Sequence, residues 1–205
     1  MRIFAALSQY GQYESNLRSG IDKNDNFMGV MSAASTPVEK QEDGDVLGIS
    51  MNAQPGTKIF WGMKAKYASC STSDNPIIYV ETNYGGKTVS YNININNIDP
   101  SNASRLEMFA LCSYADNMGI GDKSTFGTYS TLRTFEEMAN HNGYIGTQGE
   151  LNGFNQFQSE KLDWVDMSKQ VMALLFKCND LIQYSKGLSI MDLFSKTNLL
   201  SKTRC

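Results

Sequence analysis

Lys58 to Tyr67 alternates in hydrophobicity, with Ile59, Trp61, Met63, Ala65 and Tyr67 on one side and Lys64 and Lys66 on the other. A period of two predicts a half-buried strand. After a polar loop, Ile77 to Tyr84 and Lys87 to Ile95 flank Gly85-Gly86. A two-residue loop places Val80 opposite Tyr91, Ile78 opposite Ile93 and Thr82 opposite Val89 on one face. The other face receives Tyr79 with Asn92, Glu81 with Ser90 and Asn83 with Thr88. This register sorts apolar from polar on both strands at once, and a one-residue slip would undo it.

Helical spacing takes over after Asp99-Pro100. Proline cannot donate to a sheet ladder but suits the first turn of a helix, which predicts a helix from about Asn102. Its inward positions are Ala103, Leu106, Phe109, Ala110 and Tyr114, and Gly119 supplies a stop. Ser104-x-x-Glu107 offers an alternative capping box one turn later. A second helix covers about Ser130 to Asn140, with Leu132, Phe135 and Met138 inward, and ends near Gly143. Residues 141–158 are rich in Gly, Asn and Gln and read as loop. The longest helix is predicted from near Glu160 to Tyr184, striped by Trp164, Met167, Val171, Leu174, Leu175, Cys178, Leu181 and Ile182. Gly187 breaks it, and Ser189 caps a short last helix carrying Met191, Leu193 and Phe194.

The N-terminal quarter lacks such periodicity. Residues 1–57 are rich in Ser, Gly, Asn and Gln, with Pro37, Pro55 and the acidic group Glu39, Glu42, Asp43 and Asp45. Such a composition buries little, so the segment reads as a polar arm ahead of a single domain over residues 58–205. Val46-Leu47-Gly48-Ile49 alone has the makings of an edge strand.

Composition changes this picture little. A chain of 205 residues, 41% hydrophobic and 19% charged, has material for one medium core. A formal charge of -3 supplies no bulk attraction to nucleic acid or anionic lipid. Cys70, Cys112, Cys178 and Cys205 are far apart, so four unlinked thiols in a reducing compartment are expected, with a structural disulfide as the alternative. The apolar opening is cut short by Ser8, Gln9 and Tyr10, too soon for a leader peptide. No stretch approaches the ~18–20 apolar residues of a membrane span. A soluble protein of the cytoplasm is the expectation, and export without a leader is compatible with the same features.

Candidate chemistry is sparse. His141 is the sole histidine and sits at a helix-to-loop junction with no visible partner for acid–base work. Asp22 to Asn26 imitates the start of a calcium loop, but Phe27 and Ala33 stand where the turn glycine and the bidentate glutamate belong. Gly119-Ile120-Gly121-Asp122-Lys123-Ser124 echoes a phosphate loop, with an aspartate where a glycine must precede the lysine. Asp163 and Asp166 fall in a first helical turn, where the dipole favours acids. Glu136 and Glu137 read as a solvated face. No catalytic residue, cofactor site or metal site is assigned.

Ile98-Asp99-Pro100-Ser101-Asn102-Ala103-Ser104-Arg105-Leu106-Glu107-Met108-Phe109-Ala110-Leu111 resembles a group of uncharacterised proteins from clostridial-type bacteria. Asp74-Asn75-Pro76-Ile77-Ile78 and Tyr84-Gly85-Gly86-Lys87 share in the resemblance, which covers about residues 58–135. It implies a bacterial source and brings no activity, substrate or catalytic residue with it.

The expected architecture is α+β: an antiparallel sheet of three to four strands with one face covered by three to four helices. The C-terminal long helix is expected as the principal cover, assisted by the one from Asn102. The rival is a split at residues 141–158, with the C-terminal helices forming their own hairpin. The leading functional expectation is a non-enzymatic interaction or scaffold module that engages another protein, or itself. Its surface would be the N-terminal arm or the polar sheet face of Tyr79, Glu81, Tyr84, Lys87, Lys64 and Lys66, where exposed aromatics suit an interface. The alternative is an enzyme or small-molecule binder with a sheet–helix pocket lined by groups such as Asp122, Tyr114, Tyr144 and Glu150. Lys64, Lys66, Lys87, Tyr79 and Tyr84 could also form a platform for single-stranded nucleic acid, but Glu81 stands among them and no basic stripe accompanies them.

Overall fold

A computed structural model of the chain describes residues 35–38, 44–53, 60–84, 87–121, 127–141 and 159–202. The fold is α+β. Strands β1 (Ser35–Val38), β2 (Val46–Ala53), β3 (Phe60–Tyr67), β4 (Ile77–Tyr84) and β5 (Lys87–Asn94) form one antiparallel sheet in the order β1-β5-β4-β3-β2. The β4–β5 hairpin has the register that its side chains dictate, with Val80 opposite Tyr91, Ile78 opposite Ile93 and Thr82 opposite Val89. Its Gly85-Gly86 turn lies outside the described residues. Five strands stand where three or four were expected. Both edges, β1 and β2, come from the segment read as an arm, so among the described residues the sheet takes in Ser35–Val38 and Val46–Ala53 ahead of residue 58. Edge strands draw much of their order from ladder hydrogen bonds, which leave no hydrophobic period in the sequence. The edge strand expected at Val46 to Ile49 runs on to Ala53.

Helix α1 (Arg105–Asn117) is the central element. The capping box, not Pro100, starts it. Glu107 N donates to Ser104 Oγ at 3.2 Å, and Ser104 N donates back to Glu107 Oε2 at 2.7 Å. Such a cap contributes about 1 kcal/mol. Residues 103–104 form instead a two-residue strand, β6, paired with β7 (Lys161–Leu162). Gly119, with φ at +69°, ends the helix as expected.

Ten residues of α1 are buried, from Arg105 through Ser113 and then Ala115. A helix enclosed on all sides carries only a weak amphipathic stripe. It lies across β2, β3 and β4 on one side and packs against α2 (Gly127–His141) on another. The principal cover of the sheet is therefore α1. The expected long C-terminal helix is two helices, α3 (Trp164–Lys177) and α4 (Leu181–Lys202), which pack on each other while α3 also packs on α2. The break falls at Asn179, which adopts φ +57°, a conformation that Asn tolerates better than most residues. Asp180 Oδ1 then accepts from Gln183 N at 3.1 Å. Gly187 and Ser189 lie inside α4 and neither breaks nor caps it. Gly187 is buried where a side-chain carbon would stand 2.6 Å from Met172 Cγ and 3.2 Å from Phe135 Cε2, so its small size serves a helix crossing.

The core is continuous from sheet to helices. Ala65, Ile78, Val80 and Ile93 meet Met108, Phe109 and Cys112, and behind them Leu132, Phe135, Trp164, Val171, Ile190 and Phe194 fill the helical layers. Trp164 is fully buried and donates from Nε1 to Ala103 O at 2.7 Å, fastening α3 to the approach to α1.

Candidate interaction surface

The sheet turns one face to α1 and the other away from it. Lys66, Tyr79 and Asn92 make one cross-strand row of that outer face, and Ile49, Lys64, Glu81 and Ser90 make the next. Of the six residues expected to form an exposed surface, two do not. Tyr79 is 1% exposed and Lys66 is 5% exposed. Tyr79 lies toward its neighbours, its hydroxyl donating to Ser90 Oγ at 2.8 Å, so it reads as sheet packing and not as a contact. Lys64 and Glu81 are half-buried and paired across β3 and β4, and Lys87 is exposed. The side chain of Tyr84 lies outside the described residues.

The outer face gains instead an apolar margin from β2. A bulge between Val46 and Gly48 shifts the strand's alternation. As a result Leu47 packs against the core and Gly48 faces α1, while Ile49 and Met51 project outward, 63% and 76% exposed. Val46 on the same side is 45% exposed. Met51 pairs with Gly62, which offers no side chain to cover it. Residues 46–53 contain no charged residue and no proline. Among the described residues no further strand pairs with β2, and the sheet ends there. The opposite edge differs, since β1 is four residues long and contains Pro37.

The other polar grouping is interior. Arg105 donates from Nε to Glu136 Oε1 at 2.8 Å and from Nη1 to Glu160 at 2.9 Å, and Arg133 also meets Glu136. Lys161 pairs with the capping-box glutamate Glu107. Glu136, expected on a solvated face, is 1% exposed. Each cation here faces a carboxylate, and together they clamp α1, α2 and the start of β7. The Tyr129 hydroxyl lies near this cluster, and burial pushes its pKa far above the usual phenol range. Asp163 caps α3, accepting from Asp166 N at 2.8 Å, so that pair is structural.

Tyr114, a candidate pocket residue, stands edge-on to Tyr67 with ring centroids 6.4 Å apart. It also borders a cavity of about 40 Å³ between α1, α4 and the 3₁₀ turn at Ile95–Asn97, lined mainly by apolar groups such as Leu111, Ile120 and Leu193. That space admits a few waters at most. Asp122, Tyr144 and Glu150 lie outside the described residues, as does the side chain of His141. Among the described residues no three His, Cys, Asp or Glu side chains gather as a metal site, and no helix is long and apolar enough to cross a membrane.

Fold and surface together define an α+β domain whose main sheet ends, among the described residues, at β1 on one side and β2 on the other. Comparison with family models, curated proteins and solved structures returns no match.

Proposed function

We propose that the chain is a non-enzymatic protein-interaction module that takes up an extended polypeptide segment along β2. The observation that carries this reading is the exposure of Ile49 and Met51 on an uncharged strand at the edge of the sheet. Strand addition draws affinity from main-chain hydrogen bonds and selectivity from outward side chains, and here those side chains would be Val46, Ile49 and Met51. An edge of this length without charge or proline, and with no further strand on it among the described residues, is what proteins normally avoid unless something pairs with it. The buried ion pairs are engaged in joining α1, α2 and β7, so the reading asks no chemistry of them. The free thiols of Cys70, Cys112 and Cys178 suit a cytoplasmic setting, and a net charge of -3 gives nucleic acid no bulk attraction.

A photo-crosslinking residue placed at Met51 tests this in lysate of the source cell. It is expected to give a discrete protein adduct, while the same residue at the exposed Glu137 of α2 gives none. No adduct from position 51, or equal labelling from both, would remove the basis of the reading.

A further inference from the structure

We infer that the segment received by β2 is β2 of a second copy, forming a twofold antiparallel dimer centred on Ser50. The inference rests on the strand-addition reading and names its partner. A twofold axis normal to the sheet makes two identical edges antiparallel, the arrangement that every pairing in this sheet already has. Centring on Ser50 sets Ile49 opposite Met51 twice over and pairs the strand from Leu47 to Ala53. Shifting one strand by one residue would put the outward side chains of one copy against the inward ones of the other.

Charge and shape favour this occupant. With no charged residue in positions 46–53, the self-pairing opposes no like charges. The two copies would bring two Ile49 and two Met51 side chains into one apolar patch, each of them more than 60% exposed in the single chain. Gly62 beside each Met51 leaves room for its longer side chain to settle. Edge β1 cannot substitute, being half the length and interrupted by Pro37. The paired product is a continuous sheet in which both α1 helices lie on the same side.

Sedimentation equilibrium of the purified full chain is expected to show a monomer–dimer equilibrium. Ile49→Lys and Met51→Glu, each alone, should weaken it about tenfold, because symmetry repeats every cross-strand pair. The double variant I49K/M51E should recover dimerisation in a salt-sensitive way, since the proposed register sets each new cation against a new anion. Circular dichroism confirms that the fold is kept, as both positions are exposed. A chain that stays monomeric up to its solubility limit overturns the dimer. So does a dimer indifferent to both single variants, or a double variant that remains as weak as either single one. If the chain is monomeric while the Met51 photoprobe still labels a foreign protein, strand addition stands and the second copy is wrong. If the probe labels nothing, both fail.

Discussion

Arg105 Nε donates to Glu136 Oε1 at 2.8 Å in the interior, where the two side chains are 6% and 2% exposed. This pair ties the central helix to α2. Arg133 approaches Glu136 from the other side and Glu160 takes the remaining reach of Arg105, so the cluster balances its own charge. Its value is geometric: it ties α2 and the residues that open β7 to the helix that covers the sheet.

Removing one member should therefore cost more than replacing the pair. Arg105→Met leaves Glu136 with Arg133 alone, and a broken buried pair costs about 3–5 kcal/mol. The residual contact puts the expectation at the lower end. The double variant R105M/E136L should recover part of the loss, since no buried carboxylate is left opposite the methionine, while Arg133 and Glu160, both partly exposed, lose a partner. Urea unfolding of the single and double variants checks both numbers. A double variant no more stable than R105M would mean that the charges do more than compensate each other.

Gly48 sets how closely β2 approaches α1. A side-chain carbon there would stand 3.0 Å from Ser113 Cβ and nearer still to Ser113 Oγ. Gly48→Ala should destabilise by about 1–3 kcal/mol through overpacking, and Ser113→Gly in the same chain should relieve part of it. The cycle also tests whether β2 belongs to the folded unit. If Gly48→Ala changes nothing, the strand is not held against α1.

How far the sequence revealed this fold follows from what each element writes into its side chains. The β4–β5 hairpin was legible because both of its faces sort together, as Val80 with Tyr91 and Glu81 with Ser90. β1 was not, since Ser-Thr-Pro-Val has too few residues for a period. The split between α3 and α4 was hidden because Leu174, Leu175, Leu181 and Ile182 continue one stripe across Asn179, yet Leu181 and Ile182 are 58% and 74% exposed. Glu136 looked solvated because its partner Arg105 lies 31 positions away. On the surface, Tyr79 was misplaced because alternation tells which face a side chain takes and not whether that face is open. Ile49 and Met51 carry no surface signal of their own, although Val46-Leu47-Gly48-Ile49 marks part of their strand. The bulge after Val46 decides their direction, and no residue pattern announced it.

Thiol reactivity separates the cysteines by position. Cys70 and Cys178 are exposed, the latter contrary to its place in the expected apolar stripe, while Cys112 is fully buried in α1. Burial pushes the Cys112 thiol well above its usual range, and the carboxylate of Asp116 pushes the same way. A thiol held in its protonated form is a poor nucleophile. Mass spectrometry after alkylation should find Cys70 and Cys178 modified in the native protein, with Cys112 modified only after unfolding. Native labelling of Cys112 at the rate of Cys70 would contradict its placement.

Stability should fall on the alkaline side. Tyr91 lies on the core face of β5, and desolvation raises its pKa from 10.0 to about 12. Burial moves Tyr129 in the same direction. The folded state thus binds these protons more tightly than the unfolded state. Below about pH 10 both states keep the tyrosines neutral, and the full contribution is present. As pH rises from there toward about 12, the unfolded chain ionises first and stability is lost progressively. Urea midpoints measured across this interval should decline with pH, and Tyr91→Phe should flatten the decline because it removes one of the protons concerned. A wild-type midpoint that holds constant through the interval would mean that Tyr91 and Tyr129 ionise alike in both states, and would contradict the burial of both side chains.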